Sequence, residues 1–355
     1  MSVLRHLDPI GPELLRLDSW SLLETLGGPT LARLPGAGRR RPRAVVVLQH
    51  GDERTGLDAV LEVLRDHPPL DYDLHLLFGN VEAALAAPGF AHRMLSHQPD
   101  MNRAWFDDVE PGAGHDRLSV ATREALHHLR ALDLSALIDL HNTTGDNPFH
   151  ALVAVQHAAD IGLAALFTPL VVLWDQRRHT LLEAMRGHCV AATVECGLAG
   201  TDRSLAFAVD GLRRFLAAPD PDAPPVPPDV HLLSHMRRVE ISPDASLRFG
   251  GARARLPRPT ADPDVDDDAD VVIAAGADLR NGQEQEPGWL LATVRHGRED
   301  AVRVVDTDGS DVTDELLAVE DGEVRVKVAT TPLMMTRTVA ATRADCLTYL
   351  LERVD

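Results

Sequence analysis

Lysine is almost missing: Lys327 is the one example among 355 residues. It sits in a strand-like VRVKV stretch far from every motif below, which leaves Schiff-base catalysis without a nucleophile. The phosphate-cradling pattern GxxxxGK[ST] is absent too. Cysteine is scarce, and Cys189, Cys196 and Cys346 form an odd set without paired metal spacing. They give no sign of a disulfide framework or a zinc ribbon and read as buried thiols. Tyrosine occurs only at Tyr72 and Tyr349. No run approaches the roughly 20 uninterrupted apolar residues of a membrane-spanning helix. The opening MSVLRHLDPIGPELLRLD carries charges where a secretory leader needs its apolar core, so a cytoplasmic protein without a membrane partner is expected. Excess positive charge is lacking as well. A net charge of -19 argues against a nucleic-acid backbone as partner. It leaves room for an anionic small molecule, because a local arginine cluster outweighs acidic groups lying beyond about 8–10 Å of screening.

What remains is the composition of a soluble globular chain, 45% hydrophobic and 25% charged, long enough for one large core and a smaller second domain. Residues 1–43 form a mixed lead-in ending in the turn-rich LPGAGRRRPR. The continuous β-branched run AVVVLQ (44–49) then predicts a strand buried on both faces. A helix-like GLDAVLEVLRDH, an apolar run at 72–80 and a helix-like EAALAA follow. The alternation continues through a helix at 123–131, strands at 135–142 and 151–155, a helix around 158–167 and a strand at 170–174. A helix at 179–187, a strand at 190–197 and a helix at 203–217 complete it. This rhythm predicts an α/β domain with a largely parallel sheet over residues 1–218. PDPDAPPVPPD (219–229) is a proline-dense linker. The short alternating segments of 230–355, separated by Gly/Asp turns, predict a β-rich C-terminal domain. The acidic run at 261–270 lacks the turn glycine of a calcium loop and reads as a solvated loop.

Chemistry-bearing residues gather at strand ends, where open α/β sheets build their sites. AVVVLQ runs directly into His50-Gly51-Asp52-Glu53, and a His and a Glu three residues apart on such a turn can face one point as zinc ligands. Alone, that pair is a weak signal. The strand SALIDLHN carries Asp139 and His141 on one side, and His141 could complete a two-His, one-Glu set or be a hydrogen-bonded strand-end histidine. Asp100-Met101-Asn102-Arg103 offers an amide and a guanidinium suited to a carboxylate, or an Asp-capped helix start. Glu195 interrupts a buried-looking strand in TVECG, which makes it a candidate general base.

In this order the pieces closely resemble the succinylglutamate desuccinylase/aspartoacylase family of zinc carboxypeptidase-like hydrolases. That family shows HGNE-x-x-G, D-L-N-R, D-L-H with N-T-T often following, and V-E-x-G; here they stand as HGDERTG, DMNR, DLHNTT and VECG. Glu53 and His141 are 88 positions apart, which also suits the family. The resemblance covers roughly residues 40–217 and extends more weakly, in layout, to the C-terminal part. It implies a three-layer zinc-carboxypeptidase-like domain with a mixed, mostly parallel sheet. It implies one zinc ion per chain on His50, Glu53 and His141, with Glu195 activating the metal-bound water. Asn102 and Arg103 would grip the carboxylate of a small-molecule substrate, and Arg93, the nearest upstream arginine, would polarise the scissile carbonyl. Asp52 for the usual Asn and Met101 for the usual Leu are departures, and the scarcity of tyrosine leaves the acyl specificity open.

The expected activity is hydrolysis of a linear amide in an N-acyl amino acid. A carboxypeptidase-like peptidase or a deacylase of another small molecule would use the same chemistry. A non-catalytic metal site would instead favour four closed protein ligands. Self-association is left open by the sequence.

Overall fold

The computed structural model describes residues 3–66, 68–106, 116–219, 224–250 and 269–354. Most of the acidic run at 261–270, and residues 220–223 of the proline-dense segment, lie outside the described residues. The chain divides into two compact units, Met1–Asn142 with Phe149–His231 and Thr143–Pro148 with Leu232–Asp355.

In the first unit the strands are β1 (Arg5–Leu7), β2 (Thr30–Leu34), β3 (Arg43–Val47), β4 (Leu74–Phe78), β5 (Ala136–Thr143), β6 (His150–Val153), β7 (Leu170–Leu173) and β8 (Val190–Leu198). They lie in the order β1-β2-β4-β3-β5-β8-β6-β7. Parallel pairing joins β1 to β2, β3 to both β4 and β5, and β6 to β7, while β2–β4 and β6–β8 are antiparallel. Every residue of β3 and of β4 is buried, as expected of mostly apolar runs that pair with a strand on each side. The helices are α1 (Ser19–Leu26), α2 (Thr55–Leu64), α3 (Val81–Leu85), α4 (Arg117–Ala131), α5 (Ala158–Ala165), α6 (Leu181–Ala184) and α7 (Asp202–Ala217).

Two local outcomes differ from the sequence pattern. The lead-in at 1–43 holds β1, α1 and β2, and α1 carries ordinary start and stop signals. The Asp18 side chain accepts from the Ser21 amide, and Gly27 closes the helix at φ +63°. The expected helix at 179–187 shrinks to the single turn α6. Thr180 and Glu183 cap one another reciprocally there, and Gly187 at φ +78° turns the chain into β8.

The second unit contains β9 (His231–Ile241), β10 (Leu247–Phe249), β11 (Val271–Ile273), β12 (Leu290–Val294), β13 (Val302–Val305), β14 (Leu317–Glu320), β15 (Glu323–Val326), β16 (Thr331–Leu333) and β17 (Thr348–Val354). A sheet in the order β10-β11-β12-β15-β14 shares a core with β9 and β13, built from residues such as Val239, Val271, Leu291, Val304 and Val324. Thr143–Pro148 joins this unit through Asn147, whose Oδ1 accepts from the Met334 amide at 2.7 Å, and through Asp146, whose carbonyl accepts from Asn281 Nδ2 at 3.2 Å.

The strand that leads into the HGDE turn is anchored by a buried cation. Arg43, at the start of β3, is 1% exposed and lies with its guanidinium 3.8 Å over the Tyr72 ring. It donates to the carbonyls of Phe215, Leu216 and Ala218, the orphan acceptors at the C-terminal end of α7. The Tyr72 hydroxyl adds a bond to the Leu216 carbonyl at 2.7 Å, and burial pushes its pKa up to about 12. Arg43→Leu keeps the apolar stem but strands these acceptors. Urea denaturation should therefore show a loss of roughly 2–4 kcal/mol; a loss indistinguishable from zero would contradict this anchoring.

Candidate metal centre

The register of the sheet brings the distant motifs together. β3 and β5 are parallel neighbours with Val47 opposite Leu140, so the residues after Val47 and His141 leave adjacent strand ends side by side. Directly after β3, Leu48 adopts φ +62°, a left-handed conformation that costs a non-glycine residue free energy. Leu48 is fully buried, and its carbonyl accepts from the Asn80 amide at 2.6 Å, so the surrounding structure holds the bend that turns Gln49 and His50 out of the strand. Gly51 follows where a Cβ would lie 2.5 Å from the Ala84 amide nitrogen, so a larger residue there would push α3 away.

His50, Glu53 and His141 are 3%, 5% and 3% exposed, and one ligand atom from each lies within 4.8 Å of the others. Glu53 spans the two histidines. Its Oε1 is 2.7 Å from His50 Nδ1 and its Oε2 is 2.8 Å from His141 Nδ1. The far nitrogen of each imidazole meets a second carboxylate, His50 Nε2 with Asp100 Oδ1 at 3.0 Å and His141 Nε2 with Asp139 Oδ2 at 2.9 Å. Carboxylates behind the histidines leave both Nδ1 atoms and Glu53 pointing at one place, an arrangement that fits a divalent metal. Asn142 locks the surroundings. Its amide donates to Glu53 Oε2 at 3.1 Å, its side-chain oxygen accepts from the Thr55 amide at 3.2 Å, and its Nδ2 donates to the Gly197 carbonyl at 2.7 Å.

Asp100 caps the short 3-10 turn Met101–Arg103 by accepting from the Asn102 amide at 2.9 Å, while the same carboxylate faces His50. The Asp-capped reading of DMNR therefore holds, and the capping carboxylate also faces His50. Arg93 donates to Asp100 Oδ2 from Nη2 at 2.9 Å and from Nε at 3.2 Å, and its Nη1 is 3.6 Å from Glu53 Oε1. The upstream arginine thus stands beside the ligand set. Asn102 Oδ1 accepts from the Leu181 amide at 3.2 Å, and Arg103 Nη1 donates to the Asn102 carbonyl at 2.9 Å. Glu195 lies on β8 opposite His150 of β6, and its Oε2 is buried with no hydrogen-bond partner among the described residues.

Burial disfavours every charge here, so the direction of each shift follows from whether the neighbouring charges outweigh burial. Burial raises the Glu53 pKa, but His50 and His141 outweigh it and hold the carboxyl well below its ordinary value. Burial and Arg93 oppose the His50 cation, yet Glu53 and Asp100 raise its pKa; Asp139 and Glu53 raise His141 well above the ordinary imidazole range against burial. Asp100 falls well below its usual value, burial being overcome by His50, Arg93 and Arg103. Glu195 moves the other way. Burial pushes it up to about 7, with His141 opposing and Glu53 adding to the shift.

The motifs did not reveal Gln49 or Trp105. Gln49 bonds Asp139 and Trp105, and all three are buried. Their one sequence signal is a polar or indole group in a segment that must be buried. A separate cavity, lined by residues including Arg41, His157, Arg186 and His188, contains none of the motif residues. Among the described residues no helix is long and apolar enough to cross a membrane.

In the metal-free protein the two histidines have raised pKa values. Their stabilisation should be complete below the unfolded value of about 6.5 and fade as pH rises through the folded values. Glu53 acts with the opposite sign, stabilising above the unfolded carboxylate range and losing that effect as pH falls. Urea midpoints from about pH 5 to about pH 9 should decline on the alkaline side, and His141→Ala should flatten that limb. An unchanged slope in the variant would refute the assignment of the limb to this cluster.

No protein-family model matches the chain, and no curated protein matches it. Solved structures do. The succinylglutamate desuccinylase from Chromobacterium violaceum superposes with a TM-score of 0.56 at 16% identity, covering 92% of this chain and 88% of its own. A succinylglutamate desuccinylase/aspartoacylase from Rhodobacter sphaeroides gives 0.53 at 13% identity, covering 91% and 89%. The product-bound ectoine utilization protein EutE (DoeB) from Ruegeria pomeroyi gives 0.50 at 18% identity, covering 90% and 88%. The chain thus has the fold of succinylglutamate desuccinylase/aspartoacylase proteins, the family that its four motifs resemble.

Proposed function

We propose that the chain is a cytoplasmic zinc-dependent amidohydrolase of that family, which cleaves the acyl amide of an N-acyl amino acid. The observation that carries this reading is the buried His50–Glu53–His141 group with the unpartnered Glu195 oxygen in its electrostatic field. Two imidazoles and one carboxylate are the ligand set of an open catalytic zinc site, whereas a structural site closes with four. The catalytic domain would be a three-layer zinc-carboxypeptidase-like fold over residues 1–218, followed by the linker at 219–229 and a β-rich domain at 230–355.

His50, Glu53 and His141 would hold the ion. Bound zinc supplies Lewis-acid polarisation of a carbonyl and acidifies a water molecule. Glu195, with a pKa of about 7, is poised to take a proton from water at one of its oxygens and hand it to the leaving amine. Its burial makes the neutral acid accessible, and the nearby histidines keep the carboxylate accessible. Arg93 places positive charge beside the ligand set, where the developing oxyanion needs it. Asn102 and Arg103 would hold the substrate carboxylate through an amide and a guanidinium. The net change is water added across the C–N bond, giving a carboxylic acid and an amino acid.

The test is turnover of N-acetyl-, N-succinyl- and N-formyl-amino acids, with and without a chelator. Turnover should require the metal, and elemental analysis should find zinc. Glu195→Gln should keep zinc while the rate falls at least about 100-fold. Chelator-insensitive turnover would refute the metal reading, and a fully active Glu195→Gln would remove Glu195 from the proton pathway.

A further inference from the structure

Gln49 belongs to none of the four motifs, yet it is the residue on which Asp139 rests. It is 1% exposed, and its Nε2 lies 2.6 Å from Asp139 Oδ2 and 3.3 Å from His141 Nε2, while its Oε1 lies 2.7 Å from Trp105 Nε1. An indole N–H can only donate, so the amide oxygen must face Trp105 and the amide NH2 must face Asp139. Donors from Gln49 and His141 then converge on Asp139 Oδ2. Thr193 Oγ1 is a distant third at 3.5 Å, and Oδ1 has no hydrogen-bond partner among the described residues. With the carboxylate so held, His141 Nε2 must carry the hydrogen. A lone pair there would face a carboxylate oxygen at 2.9 Å. In the neutral imidazole that a metal requires, the lone pair is thereby left on Nδ1, the atom facing Glu53.

We infer that Gln49 is a positioning residue whose amide, oriented by Trp105, fixes Asp139 so that His141 presents Nδ1 to a divalent metal. The inference rests on the zinc reading above. The two histidines are supported differently. Asp100 behind His50 is held by the charged Arg93 and a backbone amide, whereas Asp139 behind His141 depends on a neutral amide. Removing Gln49 leaves a fully buried carboxylate with His141 as its one close donor, free to rotate with the imidazole it should restrain. Trp105 also follows the DMNR turn by two residues, and its backbone amide donates to the His179 carbonyl at 3.3 Å. The segment expected to bind substrate and the strand carrying His141 are therefore tied through one side chain.

The test uses the full-length wild type, Gln49→Leu and Trp105→Phe. Zinc affinity is measured by competition with a chromophoric chelator, and the visible spectrum is recorded after cobalt(II) substitution. Gln49→Leu should weaken zinc binding about 10- to 100-fold, and Trp105→Phe should weaken it in the same direction. Both should shift the cobalt ligand-field bands, which a loss of global stability alone would leave in place. Variants that bind zinc within about twofold of wild type with unchanged cobalt spectra would overturn the inference. Should Gln49→Leu not fold, Trp105→Phe decides by the same two readouts, since it removes the indole N–H and keeps an aromatic side chain. A wild type that binds no zinc would refute the zinc reading and this inference with it. Tight zinc binding by the wild type and both variants would refute this inference alone.

Discussion

A carboxylate buried between two imidazoles is the constraint around which the first unit is organised. Glu53 touches His50 and His141 through separate oxygens, all three side chains being nearly inaccessible. Charges in such a place are tolerated only when each has a partner, because burial disfavours every ionised form. The chain supplies partners outward in rings: Asp100 and Asp139 behind the histidines, then Arg93 on Asp100 and Gln49 on Asp139. The parallel register of β3 and β5 makes this geometry available by setting the ends of two central strands side by side.

The motifs were legible because they combine residue types that physical chemistry rarely puts at apolar strand ends. A histidine and a glutamate after AVVVLQ, a histidine at the end of SALIDL and a glutamate inside VAATVECG each break an otherwise buried pattern. The α/β alternation was legible for the same reason, since long apolar runs and amphipathic helices have distinct periods. The lead-in strands were not. β1 is three residues long with two of them exposed, and β2 carries Arg33, so neither gives a run or a clean alternation. Gln49 was also hidden, because a glutamine says nothing about its acceptors until β5 and Trp105 are placed around it. Thr143–Pro148 shows the limit of reading along the chain: its contacts through Asn147 and Asp146 are with residues more than a hundred positions away.

Charge explains why the site asks for a cation. Asp52, Glu53, Asp100, Asp139 and Glu195 are carboxyl groups of one neighbourhood, and Arg93 is the guanidinium set among them. Without a metal, protons must offset the excess, and the directions of the shifts show where they go. Both histidines hold theirs more tightly, and Glu195 and Asp52 rise while Glu53 and Asp100 fall. Glu195 shares with Asp52 and Asp139, and not with Glu53 or Asp100, a buried oxygen without a hydrogen-bond partner among the described residues, so a proton there is not committed to holding the structure.

The anchoring carboxylates differ from the proposed proton carrier in what they touch. Glu53 and Asp100 are held ionised by contacts below 3.1 Å to imidazoles, which lowers their basicity and makes them poor proton carriers but good anchors. Glu195 is half-buried near Glu53 without such contacts, and the desolvation of its carboxyl raises its basicity to about 7, where a proton can be both taken and returned. A metal at the His–Glu–His group would replace the proton-borne positive charge with one that stays fixed. The histidine protons would then be displaced, and the mobile proton would be left to Glu195. On that account the rings of support around His50 and His141 and the lack of support around Glu195 serve one division of labour, holding charge at one point and moving it at another.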